Sequence, residues 1–307
     1  MAFNAGSPDV FLSYARVEAD FACELRARLK REVPDVRLWQ DITDEEGGIN
    51  WWRQITEALD TVENMILVLS PASAQSPTVQ KEWRYARQQG VRIHPVRGAA
   101  FDQLALDALP RWIGKTHIYD LEYEWKKFVN YLRSPGRAAR VPFMAPDPPE
   151  HLVARPDELG RLLTLVLGAD HRDPSAVRAA LCGAGGFGKT VLAIAVCHDD
   201  AVLTAFDDGI LWVTLGEKPR LLDALTKLYR ALTDVDPTFR DVEEASGQLA
   251  ACLKDKTCLI VLDDVWDPAH LRPFPRGGTC AYLITTRQFE VAADAEVVSA
   301  EEMTADQ

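Results

Sequence analysis

Gly183-Ala184-Gly185-Gly186-Phe187-Gly188-Lys189-Thr190 is the stretch that decides how this chain is read. A short apolar run at 177–181 precedes it and helix-forming residues follow, the strand, loop and helix order that a phosphate-cradling loop requires. Gly183, Gly185, Gly186 and Gly188 let successive backbone N–H groups curl around an anion. The Lys189 ammonium reaches the outer phosphate oxygens, and the Thr190 hydroxyl stands at a helix N-terminus where it can hold magnesium. The stretch predicts binding of ATP or ADP with Mg2+.

Magnesium needs a carboxylate beyond the loop, and Cys258-Leu259-Ile260-Val261-Leu262-Asp263-Asp264 supplies an apolar strand ending in two of them. Asp263 joins Thr190 as the metal ligand, and Asp264 is placed to orient an attacking water. Tyr282-Leu283-Ile284-Thr285-Thr286-Arg287 adds a cation at a third strand end. Arg287 either meets the terminal phosphate there or is a plain surface arginine. With further strands at 210–213 and 297–298 and a helix at 156–167, residues 150–307 are expected to form a P-loop NTPase α/β domain.

Working toward the N-terminus, residues 134–149 are rich in Pro, Gly, Ala and Arg, and their regular periodicity stops, so they read as a semi-extended linker. Residues 1–133 hold a second β-α series, with strands expected at 10–13, 37–40, 65–69, 92–96 and 117–121. Between them Phe21, Leu25 and Leu29, or Trp52, Ile55 and Leu59, recur at helical spacing. That pattern predicts a flavodoxin-like domain with a five-stranded parallel sheet.

A chain of 307 residues is long enough for two such cores. Its net charge of -12 sets most of its surface against a phosphate backbone, which argues against nucleic acid as the main partner. Six scattered cysteines without C-x-x-C pairs suit a reduced cytosol, and no apolar run approaches membrane-spanning length. The expected location is the cytoplasm.

Residues 150–307 resemble the nucleotide-binding core of the NB-ARC family of STAND ATPases, the switch modules of apoptotic and plant immune receptors. The resemblance rests on the lead-in Val153-Ala154-Arg155-Pro156-Asp157-Glu158-Leu159, the phosphate loop, Leu262-Asp263-Asp264-Val265-Trp266 and Thr285-Thr286-Arg287. It adds Arg155 to the nucleotide contacts. It also implies slow ATPase switching, and helical, winged-helix and sensor regions beyond this stretch.

Asp9-Val10-Phe11-Leu12-Ser13-Tyr14-Ala15, Leu38-Trp39-Gln40-Asp41, the loop 44–48, Leu67-Val68-Leu69-Ser70-Pro71 and Lys81-Glu82-Trp83 resemble the TIR domain family. Enzymatic members cleave NAD+ to nicotinamide and ADP-ribose products, and others are scaffolds that only self-associate. In Ser73-x-x-Ser76-x-x-Val79-x-x-Glu82 the resemblance makes Glu82 the catalytic carboxylate, against the alternative of a solvated helix glutamate paired with Lys81 or Arg84. It likewise implies NAD contacts from Ser13, Tyr14, Arg16, Trp39, Asp41, Gly48, Trp51 and Trp83, with Gly48 also in the loop for TIR–TIR contact. Trp52 fits either base stacking or the buried stripe with Ile55 and Leu59. The whole is similar to bacterial TIR-STAND immune receptors, in which an unknown trigger drives oligomerisation and NAD+ loss blocks a phage. The alternative is a non-enzymatic TIR scaffold under the same nucleotide switch.

Overall fold

Strands buried on both faces are apolar at every position rather than at every second one. Val10–Ser13 (β1), Leu38–Trp39 (β2), Asn64–Leu69 (β3) and Arg92–Arg97 (β4) pair in parallel in the order β2-β1-β3-β4. In β3, Ile66 and Val68 enter one core while Met65, Leu67 and Leu69 enter the other. The computed structural model describes residues 9–39, 49–105, 109–149, 155–168, 178–275, 279–293 and 295–300. They fall into two compact units, Met1–Val141 and Pro142–Gln307.

In the first unit, α1 (Ala19–Glu32), α2 (Ile49–Thr61), α3 (Pro71–Gln75), α4 (Pro77–Gln88), α5 (Arg111–Gly114) and α6 (Trp125–Arg133) cover the sheet. Leu25 and Leu29 of α1 meet Phe128 and Leu132 of α6 on one face; Ile55 and Leu59 of α2 meet Val79 and Trp83 of α4 on the other. The run 117–121, expected as a fifth strand, makes a single β-bridge to the sheet, between Tyr119 and Val96. The Tyr119 N–H donates to the Pro95 carbonyl at 2.8 Å and its carbonyl accepts from Arg97 at 2.9 Å. The chain then turns away, because the Asp120 carbonyl accepts from Tyr123 and Glu124.

Residues 134–149 are extended, as their prolines dictate, but they are bound down rather than free-running. Arg137 donates to the carbonyls of Asp60, Val62 and Gln89, where the ends of α2 and α4 carry partial negative charge. Further on, the Ile210 N–H donates to Pro142 and the Met144 N–H to Ile210, both at 2.9 Å.

In the second unit, β5 (Arg178–Cys182), β6 (Gly209–Gly216), β7 (Cys258–Val265), β8 (Ala281–Thr286) and β9 (Glu296–Ser299) form a parallel sheet in the order β6-β7-β8-β5-β9. Its helices are α7 (Pro156–Gly168), α8 (Lys189–Cys197), α9 (Asp200–Ala205), α10 (Leu221–Thr233) and α11 (Val242–Leu253). Cys258, Ile260 and Leu262 of β7 face the core under α10 and α11, and Leu259 and Val261 face the opposite core with α7 and α8. The β7 pairing slips between Leu262 and Val265, so Asp263 and Asp264 lie inside the strand at a bulge instead of beyond its end.

Candidate functional site

The phosphate loop links β5 to α8. Gly186 and Gly188 have φ of 86° and 75°, the left-handed backbone that curls N–H groups inward and that a side chain would strain. Lys189 is buried and its Nζ donates to the carbonyls of Gly183 and Ala184 at 2.8 and 2.7 Å, drawing the loop over itself. Burial pushes the Lys189 pKa down, and the Arg287 guanidinium adds to that. Two cations thus face one cradle of backbone donors, the electrostatics of a polyphosphate site.

Asp263, near the carboxyl end of β7, ties the carboxyl ends of β6 and β8 to the amino end of α8. Its Oδ1 accepts from the Thr190 hydroxyl at 2.8 Å and the Thr285 hydroxyl at 2.7 Å, and its Oδ2 accepts from Thr214 at 3.1 Å. Thr190 and Asp263 therefore bring together the two hard oxygens expected for magnesium. Among the described residues no cluster of three or more His, Cys, Asp or Glu offers another metal position. Sequence patterns alone give Thr214 and Thr285 no role. The register that sets Thr214 opposite Asp263 depends on strand pairing.

Arg155 is buried against this loop, donating from Nη1 to the Phe187 carbonyl at 2.8 Å and from Nη2 to Glu158 at 2.5 Å. Arg287 also lies against the loop, its guanidinium close to Gly185. Its Nε is 3.9 Å from Asp264 Oδ1 and its guanidinium carbon 5.1 Å from the centre of the Trp266 ring.

In the first unit the chain runs from β1 outward to β2 and then returns to β3 on the other side of β1. That reversal opens a crevice at the carboxyl ends of β1 and β3. Ser13 ends β1 there. From β3 the chain enters α3, capped by Ser70, and then α4, capped by Ser76 with Pro77 at its first position. This cap phases α4 so that Val79, Glu82, Trp83 and Ala86 form its buried stripe. Glu82 is 6% exposed and its Oε2 accepts from the Ser13 hydroxyl at 2.5 Å. It is not the solvated glutamate of the alternative reading.

The aromatic contacts depart from expectation. Trp83 is 3% exposed and packs edge-on to Trp112 at 6.3 Å, so it belongs to the core and presents no face to a base. Trp39 stacks on Phe11 at 4.9 Å. Trp51 and Trp52 are half-buried against the same core, Trp52 lying under the Lys81 ammonium at 4.8 Å. Tyr14 is half-buried, and Arg16 is exposed in a short 3-10 turn after β1. Asp41 and Gly48 lie outside the described residues.

A doubly wound sheet with a buried carboxylate at its switch point, followed by a phosphate-loop sheet, defines a two-domain α/β protein of the nucleotide-binding class. Residues 10–132 match the family model of the TIR domain and residues 166–305 that of the NB-ARC domain. The chain is a TIR domain joined to an NB-ARC domain. It is 35% identical over 136 residues to the regulatory protein AfsR of Streptomyces coelicolor, covering 42% of this chain and 14% of that one. It is 36% identical over 119 residues to apoptotic protease-activating factor 1 of Mus musculus, covering 36% and 9%. With the putative disease resistance RPP13-like protein 3 of Arabidopsis thaliana it shares 29% over 162 residues, covering 49% and 19%. The chain spans less than a fifth of the length of each of these relatives. Among solved structures, the TIR domain of the Toll-related receptor TRR-2 from Hydra magnipapillata aligns at 18% identity and a TM-score of 0.33, covering 42% of this chain and 100% of that one. The Aeropyrum pernix ORC1 protein aligns at 20% and 0.37, covering 52% and 48%. Among the described residues no helix is long and apolar enough to cross a membrane.

Proposed function

We propose that the chain belongs to a cytoplasmic immune receptor in which an ATP/ADP switch in the NB-ARC domain controls self-association of the TIR domain, and that the assembled TIR domain hydrolyses NAD+. The observation that carries this reading is the buried Ser13–Glu82 pair at the switch point of the TIR sheet. Cleavage breaks the bond between ribose C1′ and the nicotinamide nitrogen, which leaves with the electron pair. The oxocarbenium-like ribose is stabilised by the Glu82 carboxylate, and water adds to C1′, releasing a proton. Ser13 holds the carboxylate in one orientation. Because Glu82 is buried, the reading requires the site to open on assembly, which is how nucleotide state would govern output.

In the NB-ARC domain Lys189 and the loop amides hold the phosphates, Thr190 and Asp263 hold Mg2+, and Asp264 orients water for slow hydrolysis. Mg2+ supplies charge neutralisation at the phosphates. Loss of NAD+ would deny an infecting phage its host.

The test is nicotinamide release from NAD+ by the concentrated chain. We expect release to fall on the order of a hundredfold in Glu82→Gln, which keeps the shape and removes the charge. Equal release by the variant would sink the assignment of Glu82. Absence of release, with TIR self-association retained, would favour the scaffold reading.

A further inference from the structure

Arg287 has a built seat. The β7 bulge puts Asp264 at φ 55°, a left-handed conformation uncommon for a residue with a side chain, and the Asp264 N–H is held there by the Thr285 hydroxyl at 2.8 Å. The bulge brings the Asp264 carboxylate beside Arg287 Nε, while Trp266, two residues on, lays its ring beside the guanidinium. The third wall is the phosphate loop. A Cβ on Gly185 would come within 2.9 Å of Arg287 Nη1. Gly185 shows no positive φ, so its backbone would accept a side chain. Among the described residues, the only atoms such a side chain would crowd are those of the Arg287 guanidinium, which would have to shift.

We propose that Trp266 is a positioning residue which, with Asp264 and the bare backbone of Gly185, holds the Arg287 guanidinium over the phosphate loop and thereby sets the preference for a nucleoside triphosphate over a diphosphate. The inference rests on the nucleotide-switch reading above. A planar guanidinium stacked beside an indole keeps its donor edge in a fixed plane. Asp264 is a weak partner, 3.9 Å away and partly exposed, so a terminal phosphate can displace it. A diphosphate lacks the group that Arg287 would meet. Lys189, by contrast, is bonded to the base of the loop and serves both nucleotides alike.

The experiment is calorimetric titration of the full chain with Mg-ADP and with the magnesium complex of a non-hydrolysable ATP analogue, followed by the ratio of the two affinities. Trp266→Leu is expected to lower the triphosphate preference about fivefold, with diphosphate affinity unchanged, and Trp266→Phe to retain most of it. Gly185→Ala, which displaces Arg287 from the opposite side, is expected to lower the same ratio without touching the indole. A ratio unchanged in either Trp266→Leu or Gly185→Ala, or equal losses for the two nucleotides, would overturn the proposal. If the wild type shows no binding that depends on Lys189, the nucleotide-switch reading itself falls, and this inference with it.

Discussion

Buried polar side chains mark where this chain accepts cost for a defined geometry. The Ser13–Glu82 bond is one instance, and His94 in β4 is another. The Asn64 amide donates to the Leu132 carbonyl, which leaves its Oδ1 to accept from His94 Nε2 at 3.0 Å. His94 is 7% exposed, and burial, with the nearby Arg92 charge, pushes its pKa down to about 4 from the ordinary imidazole value of 6.5. Above pH 6.5 the imidazole is neutral in both folded and unfolded chains and contributes nothing to pH dependence. As pH falls from 6.5 to 4 the unfolded chain takes up a proton that the folded chain refuses, so stability declines by about 3 kcal/mol in total and then levels off. Urea unfolding across this window is expected to show that loss in the wild type and not in His94→Gln. A parallel acid limb in both proteins would assign the loss to carboxylates instead.

Among the elements, α4 decides the TIR site, and its phase comes from two short signals. Ser76 accepts from the Val79 N–H at 3.4 Å, and Pro77 fixes the first helical residue. Ser76→Ala is expected to cost about 0.5–1 kcal/mol and to speed amide exchange in the first turn of α4 while leaving α1 untouched. Exchange that rises evenly through the unit would argue that the cap is incidental. The same element separates what was legible from what was not. The motif around Glu82 could be read directly. The helical phase of Lys81, Glu82 and Trp83 could not, since consecutive residues differ by about 100° and only the cap says which of them face in. The resemblance thus implies a ligand contact for Trp83, whose burial puts it in the core. The β7 bulge was hidden for a related reason, because Asp264 takes a left-handed conformation with no glycine to announce it. The phosphate loop was legible throughout, since Gly186 and Gly188 mark its turns and Lys189 its chemistry. The run 117–121 reads as a strand by composition, yet pairing is decided by where the chain turns, and Glu124 seals that turn by accepting from the Asp120 N–H at 3.3 Å.

At the scale of the molecule, each unit has a pair of cores, one on either face of its sheet, and each sheet keeps its candidate chemistry at the carboxyl ends of its strands. Stabilisation by a ligand is confined to the cooperative body that binds it. Mg-ATP at about a hundred times its Kd would add roughly 2.7 kcal/mol to the NB-ARC unit and raise its Tm by about 5–10 °C, with the TIR transition fixed. Lys189→Ala should abolish the shift. Acid gives the complementary result, because His94 belongs to the first unit, so lowering the pH to 5 is expected to bring the TIR transition down and nucleotide should not restore it. Calorimetric scans at pH 7 and pH 5, each with and without Mg-ATP, check both statements together. If nucleotide raised both transitions equally, the two units would unfold as one body, and the control of TIR chemistry by nucleotide would have to be sought in their shared stability rather than in assembly.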